Sequence, residues 1–438
     1  MKVAIIGAGW AGLAAAVKAT QAGHQVTVFE ATQTLGGRAR VVTSSTTQTL
    51  PDGTPVRIDN GQHILIGAYT ETLALMRLVG VSPEAALLDL PMTLQFPDGL
   101  GLKFGNLPTP LDALAGIVRA RGWSLGDKWS LLRAAMGWKL RGFRCTNTLS
   151  VADLCRGLTP KINAELIEPL CISALNTAPE KASAQVFLRI MRDALFSVPS
   201  GSRLLLPRVD LSALFPDAAA RWLQQHGSQI KLGQRVGSIQ THGERWLVRD
   251  EPFDTVALAT SAPHAAQLID DCAKDVPQSI AKKMLHWAQI TAALQHEAIA
   301  TVYAWAPQAS LPQAMLALRS SALQPAQFVF DRGQLGGPAG LLAFVVSAAQ
   351  GERATLQAQV LAQAHAQLGL ALQPVKTVVE KRATFACTPG LQRPPIAIAP
   401  CLLACGDYVA GPYPATLEGA VRSASAAVAL LPKDPTRS

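Results

Sequence analysis

Charge is scarce in this sequence: of 438 residues only 16% are Asp, Glu, Lys or Arg, while 49% are apolar. That balance is greasy for a chain of this size and leaves apolar surface to account for. Yet no run approaches the ~18 uncharged apolar residues of a membrane-crossing helix. The apolar N-terminus is no signal peptide, because a glycine motif interrupts it. Cysteine is sparse too, seven residues with no Cys-x-x-Cys pair. An odd, unpaired set suggests reduced thiols in a cytoplasmic protein. Cys401 and Cys405 lie close in sequence, but no His or acid cluster stands beside them, so packing is expected and no metal ligand is assigned. Repeats are absent, and the only tail-like stretch is the polar end from Lys433 to Ser438. Nucleic-acid motifs are missing as well, so the net charge of +9 fits an acidic membrane leaflet better than nucleic acid. The length allows about two or three domains and a large core.

What is present begins at once. Val3 to Ile6 is an apolar run suited to a buried parallel strand. Gly7, Gly9 and Gly12 follow in the spacing G-x-G-x-x-G, enclosing Trp10 and Ala11. Ala11 to Ala22 reads as a helix of small and apolar residues, stopped by Gly23. Gln25 to Glu30 reads as a second strand. Glu30 ends it about 20 positions past the glycines, where an acid can bond a ribose hydroxyl. Gly7 makes the tight turn, Gly9 lets backbone meet a pyrophosphate, and Gly12 lets helix and strand pack closely. The helix N-terminus supplies free N–H groups and a positive dipole end for phosphates. The glycine motif alone is weak; the strand, helix, strand and terminal acid around it make a dinucleotide site. Gly36, Gly37 and Arg38 add a second glycine turn, whose backbone can run beside a cofactor and whose arginine can meet a phosphate.

Thr43 to Thr47 is a polar turn cluster. Val56 to Tyr69 then sets Asp59, Asn60, Gln62 and His63 into an apolar context. A strand into Asp59, a glycine turn and a second strand would hold these groups near the cofactor. A hairpin whose polar groups satisfy one another is the plainer alternative. Pro91 to Lys103 carries turn signals for a small antiparallel ribbon. Leu111 to Arg144 is helical, apolar and basic, with Arg119, Arg121, Lys128, Arg133, Lys139, Arg141 and Arg144 among Trp123, Trp129, Trp138 and Phe143. That mixture suits a helix at a lipid interface, or an ordinary solvated face over core tryptophans. Gln229 to Ile239 reads as a strand with a backbone turn, and Thr255 to Thr260 as another. Near the C-terminus, Leu402 to Cys405 is a strand running into Gly406 and Asp407, an acid suited to a ribityl hydroxyl. Thr416 and Leu417 open a helix of small residues whose N–H groups can face the pyrimidine end of a flavin.

The Gly36-Gly37-Arg38 turn resembles the extended dinucleotide signature of FAD-dependent amine oxidases, carotenoid desaturases and protoporphyrinogen oxidases. The middle of the chain resembles the same flavoproteins, and there the backbone of Val236 would frame the adenine. Nearly the whole chain resembles a narrower group, the squalene-associated FAD-dependent desaturase family, the hydroxysqualene dehydroxylases of hopanoid biosynthesis. The residues that carry this are GAGWAGLAAA from Gly7, GGRAR from Gly36, DNGQHILIGAY from Asp59, EKRATF from Glu380 and GDYVAGPYPATLEGAVRSA from Gly406. His296 departs from the pattern, standing where a tyrosine is expected.

The resemblance implies a Rossmann-type α/β FAD-binding domain with an interleaved α+β substrate domain. Residues 1–80, 200–265 and 380–438 would form the first, and 81–199 and 266–379 the second. It implies FAD, a long-chain isoprenoid substrate (hydroxysqualene, reduced to squalene) and a peripheral place on the inner membrane through 111–144. His63 is the candidate proton donor, Asp59 its orienting partner and Gln62 a ligand for the hydroxyl. No second dinucleotide motif appears, so electrons would come from a separate reductase or a transient donor. A carotenoid-type desaturase, an amine oxidase and a non-enzymatic lipid-binding flavoprotein remain open. Amine oxidases usually place an aromatic where this chain has Thr416, which leaves half of an amine-caging pair missing.

Overall fold

Val3 to Ile6 are almost fully buried, as the centre of a parallel sheet requires. This computed structural model describes residues 1–42, 48–105, 107–108 and 110–431. The turn cluster at 43–47 and the polar end at 433–438 lie outside the described residues. The first strand (Lys2–Ile6) pairs in parallel with Gln25–Phe29 on one side and Thr255–Leu258 on the other. Gln229–Lys231 extends the sheet beyond the second strand, and Leu402–Ala404 extends it beyond the fourth, both in parallel. Ala397–Ala399 closes the far edge antiparallel. The first helix (Trp10–Gln21) is nearly all buried, because its Ala and Gly positions let it lie close between strand and neighbours. It packs with the helices Pro216–Gln225 and Leu417–Ala429 in one apolar cluster. A three-stranded antiparallel meander over 239–253 lies against this sheet, with Phe29 meeting Phe253 edge to face.

A second sheet is wholly antiparallel: Met315–Ala317, Phe328–Asp331, Leu341–Ser347, His296–Trp305 and Gln373–Phe385 in that spatial order. The helix Arg353–Leu368 covers one face of it. Gln373–Phe385 is a single 13-residue strand, so the expected division at residue 380 would cut it; the chain leaves this sheet only after Phe385. The ribbon at 93–103 forms as expected, with Gly99 at φ +76 in its turn.

Between the sheets the 56–69 stretch departs from expectation. It is not a hairpin. Pro55–Val56 pairs with Gln48–Thr49, whereas Leu65–Ile66 pairs with Leu204–Leu205. Residues 58–60 instead lie along 40–42: Val42 N–H donates to Ile58 O, and Asn60 N–H to Arg40 O. The stretch therefore ties itself to the segment after the second glycine turn rather than to its own return.

The basic segment resolves into two helices, Leu111–Arg119 and Leu125–Leu140. Ser124 and Asp127 form a reciprocal capping box at the start of the second. Trp123, Trp138 and Phe143 are buried, as the reading of a solvated face over core aromatics expects. Trp123 Nε1 donates to Glu165 instead. Trp129 is 68% exposed.

Candidate functional site

The two glycine turns form one cradle. Gly36 N–H donates to Ala8 O, and Gly9 bridges Gly36. Gly7 (φ +109) and Gly12 are required by the chain itself: a Cβ on Gly7 would lie 2.6 Å from Ala259 O, and one on Gly12 1.9 Å from Gly7 O. Gly9 is different. Among the described residues a Cβ there would meet only Gly37 Cα, at 3.8 Å. Internal packing gives no reason for that glycine; a group bound over it does. Gly9 also caps the first helix with no side-chain hydrogen bond, so the N–H groups of the first turn are left for an anion. These observations fit a dinucleotide.

Trp10 is the first residue of the first helix. Its ring packs on Phe215 and its Nε1 donates to Ala39 O, so the side chain braces the cradle from the core side. Ala11 is buried beside it. Glu30 follows directly on the second strand. Its carboxylate accepts from Ala8 N–H and Thr32 N–H, which places it against the glycine loop. Gln234 N–H donates to Glu30 O, so the segment bearing the buried Val236 runs past the same acid.

Arg38 reaches across the chain. Nη2 pairs with Asp407 Oδ1 at 2.5 Å, and Nη1 donates to Ala383 O at 2.7 Å. The expected phosphate-binding arginine and ribityl-binding acid thus hold each other. The carboxylate raises the Arg38 pKa further, against the opposing effect of burial. A cavity of about 200 Å³ opens beside this pair, with His296, Arg382 and Tyr408 in its wall. The Tyr408 hydroxyl is buried and has no partner among the described residues. Gly406, just before, is fixed by its N–H donating to Ser423 Oγ.

The C-terminal helix start is built as expected. Thr416 Oγ accepts from Gly419 N–H and donates to Tyr413 O, which leaves the N–H groups at Leu417 and Glu418 without a partner within their own helix. Glu418 is fully buried. Its carboxylate accepts from Glu71 N–H, Thr72 N–H, Thr72 Oγ and Arg422, and so caps the helix Thr70–Leu78. One acid thereby joins the C-terminal piece to the end of the 59–69 stretch.

Within that stretch the roles redistribute. Asp59 does not touch His63, which corrects the expected orienting pair. Its Oδ1 accepts from Leu211 N–H, Oδ2 lies 3.9 Å from Arg332, and its backbone carbonyl accepts from Tyr303 Oη. Burial pushes the Asp59 carboxyl up to about 6, against the pull of the Leu211 N–H and the Arg332 guanidinium. Gln62 Oε1 accepts from Arg332 Nη1 at 3.1 Å. Arginine only donates, so the Gln62 amide nitrogen is turned the other way, where it donates to His63 O at 3.4 Å. His63 Nδ1 lies 3.1 Å from Gly61 O. A carbonyl only accepts, so Nδ1 carries the proton and Nε2 is the free ring atom. Burial lowers the His63 pKa; the Gly61 bond opposes this, and the Arg38 guanidinium adds to it.

Arg332, Tyr303 and Glu418 are the residues that sequence reasoning missed. Arg332 follows the strand Phe328–Asp331 and is buried. Its only sequence signal is an arginine between an apolar strand and a glycine loop.

The family model described as flavin-containing amine oxidoreductase matches residues 10–431. The hydroxysqualene dehydroxylase of Rhodopseudomonas palustris is 29% identical over 98% of both chains. The zeta-carotene desaturase of Synechocystis is 37% identical, but over 20% of this chain and 16% of its own. Among solved structures, an oxidoreductase from Methanosarcina mazei superposes with a TM-score of 0.71 at 16% identity, covering 97% of this chain and 99% of that one.

Proposed function

This chain belongs to the flavin-containing amine oxidoreductase family, and on that footing we propose that it is an FAD-dependent oxidoreductase reducing hydroxysqualene to squalene. The observation that carries this reading is the end-to-end match to a hydroxysqualene dehydroxylase, over 98% of both chains. The desaturase match covers a fifth of the chain. Amine oxidation is disfavoured because the Thr416 hydroxyl is engaged in capping and offers no aromatic face to an amine.

FAD would lie on Gly9 and the start of the first helix. Glu30 would take the ribose, Val236 the adenine, and Gly36, Gly37 and Arg38 the phosphates. Gly406, Asp407, Thr416 and Leu417 would hold the flavin end. The cofactor-binding half comprises 1–80, 200–265 and the chain after Phe385. A bound, reduced FAD supplies a hydride, which balances loss of the hydroxyl as water once that oxygen has received one proton.

The chain's part is to hold the alcohol and deliver that proton. Gln62, anchored by Arg332 and by its contact with His63 O, offers its remaining amide N–H to the hydroxyl oxygen. His63, anchored by Gly61, donates from Nε2 when protonated. Burial and Arg38 oppose that protonated form, so it is a strong acid when it occurs.

An apolar face supports a lipid-borne substrate. Leu111, Leu114 and Val118 are exposed on one helix, and Leu125, Trp129, Met136 and Leu140 on the next. Each set recurs at helical spacing and forms one stripe. Arg119, Arg133, Lys139 and Arg141 are exposed around them. No helix among the described residues is long and apolar enough to cross a membrane, so these stripes would rest on an anionic leaflet. A separate reductase would supply electrons.

Anaerobic single turnover of pre-reduced protein with hydroxysqualene tests the reading. Squalene should form as the flavin reoxidises. No squalene, together with reduction of the flavin when the oxidised protein is given a polyene, would establish the desaturase instead.

A further inference from the structure

One buried ion pair stands behind the start of the C-terminal helix Leu417–Ala429. Glu418, the second residue of that helix, is fully buried. Its Oε1 accepts from Glu71 N–H at 3.1 Å and from Arg422 Nε at 2.7 Å. Its Oε2 accepts from Thr72 N–H at 2.9 Å and Thr72 Oγ at 2.7 Å. Four donors and no acceptor meet it, the surroundings of an ionised carboxylate. The cation is fixed as well. Arg422 Nη2 donates to Thr70 Oγ at 2.9 Å, and the guanidinium lies over the Tyr413 ring, 5.1 Å from its centroid.

Capping the helix Thr70–Leu78 accounts for the hydrogen bonds of Glu418 but not for its charge. Ser82, Ser124 and Ser150 cap their own helices through an uncharged hydroxyl. Here a full negative charge is buried, and a full positive charge matches it one turn further along the same helix. Both lie beside the cofactor cradle. Ala415 N–H donates to Asp407 O at 3.2 Å, and Gly406 N–H to Ser423 Oγ at 2.8 Å, on either side of the pair in sequence. The Glu418 carboxylate is one side chain's length from the backbone N–H groups assigned above to the flavin end. Buried charges are weakly screened. Charge beside the pyrimidine ring of a flavin alters the stability of its reduced, anionic form.

We propose that the Glu418–Arg422 pair tunes the reduction potential of the bound FAD, the carboxylate lowering it and the guanidinium raising it. This rests on the placement of the flavin end proposed above and adds what governs the cofactor's readiness to give up hydride. Held together, the two charges largely cancel, so the positive end of the helix dipole dominates the field there.

Reduction of the FAD-loaded protein in equilibrium with reference dyes tests this without any substrate. Arg422→Gln leaves three donors on Glu418 and alters a side chain that is 29% exposed, so it should fold. Its ratio of reduced to oxidised flavin at a fixed potential should fall about tenfold or more, which is about 30 mV for a two-electron couple. Glu418→Gln should move the ratio by a similar factor in the opposite direction, and the double variant should return close to wild type. Arg422→Lys keeps the charge and should match wild type. Shifts of the same sign in the two single variants would overturn the tuning, because packing rather than charge would then govern the potential. A wild-type potential in FAD-loaded Arg422→Gln would overturn it too and leave the FAD site standing. A wild-type protein that takes up no FAD would overturn both.

Discussion

Arg38 and Asp407, 369 positions apart, meet at 2.5 Å. The contact joins the second glycine turn to the loop before the C-terminal helix. Arg38 also grips the Ala383 carbonyl at the end of the long strand of the second sheet. Three parts of the chain therefore converge on one guanidinium. Arg38→Met should leave Asp407 without its cation and lower stability by about 1–2 kcal/mol, discounted because Arg38 is 40% exposed. FAD retention should fall with it, and thermal melts with and without added FAD separate the two effects.

The glycines of the first loop should respond differently to a single methyl. Gly12→Ala drives a Cβ to 1.9 Å from Gly7 O, and the FAD-free protein should lose about 2–4 kcal/mol or fail to fold. Gly9→Ala meets nothing closer than 3.8 Å, so the FAD-free melt should shift little. Its FAD affinity should nevertheless drop at least tenfold, read by flavin fluorescence titration. Equal FAD affinity in Gly9→Ala would contradict the assigned phosphate position.

As the proposed donor, His63 would give the chemistry a pH signature. Its pKa is lowered below the usual value of 6.5, so the protonated donor is a minor form at pH 7. The single-turnover rate should rise as pH falls toward that depressed pKa and flatten below it. His63→Gln should remove the pH dependence and slow the step by about 10²-fold or more. A wild-type profile in the mutant would show that another group carries the proton.

Asp59 should be a stability cost at neutral pH. Its folded pKa is about 6 against 3.8 for the free side chain. At pH 7 it is charged in both states, and only the folded state bears the desolvation. Well below 3.8 it is neutral in both. Asp59→Asn keeps an acceptor for Leu211 N–H, so it should stabilise by about 1–3 kcal/mol at pH 7. The gain should vanish as pH falls through 6 toward 3.8. A gain that is constant with pH would mean the carboxylate is not the source.

The exposed stripes make a prediction about location. Leu125, at 86%, and Leu140, at 81%, have little packing to lose. Changing both to Ser, with Trp129→Ser, should leave the melting temperature nearly unchanged yet abolish sedimentation with anionic vesicles. Replacing Arg133, Lys139 and Arg141 by Gln should instead weaken vesicle binding in a salt-dependent manner.

Much of this was legible in the chain because the information is local. The strand, glycine loop, helix and Glu30 lie within about thirty residues, and each constrains the next through backbone geometry. The C-terminal strand into Gly406 and Asp407 carries the same kind of signal. What stayed hidden depends on which distant backbones pair. Asp59 and His63 are close in sequence, which suggested a hydrogen-bonded couple. Their actual partners, Leu211 and Gly61, are backbone groups that no side-chain pattern reveals. Arg332 reaches Gln62 from 270 positions away, through a sheet whose register is set only on folding. Likewise Trp138 and Trp129 look equivalent in the basic segment, and only the packing of that helix decides which one is buried.

The order of strands in the parallel sheet has a consequence for how the protein is made. Lys2–Ile6 is synthesised about 400 residues before Leu402–Ala404, which is needed to flank its neighbour Thr255–Leu258. At ordinary translation speeds roughly 20–80 s separate the synthesis of these edges. Throughout that interval the N-terminal unit has an apolar flank and no finished sheet to cover it. Folding of this sheet must therefore wait for Leu402–Ala404. A nascent chain paused anywhere before residue 404 would be a client for chaperones, unable to retain the cofactor its first forty residues already advertise.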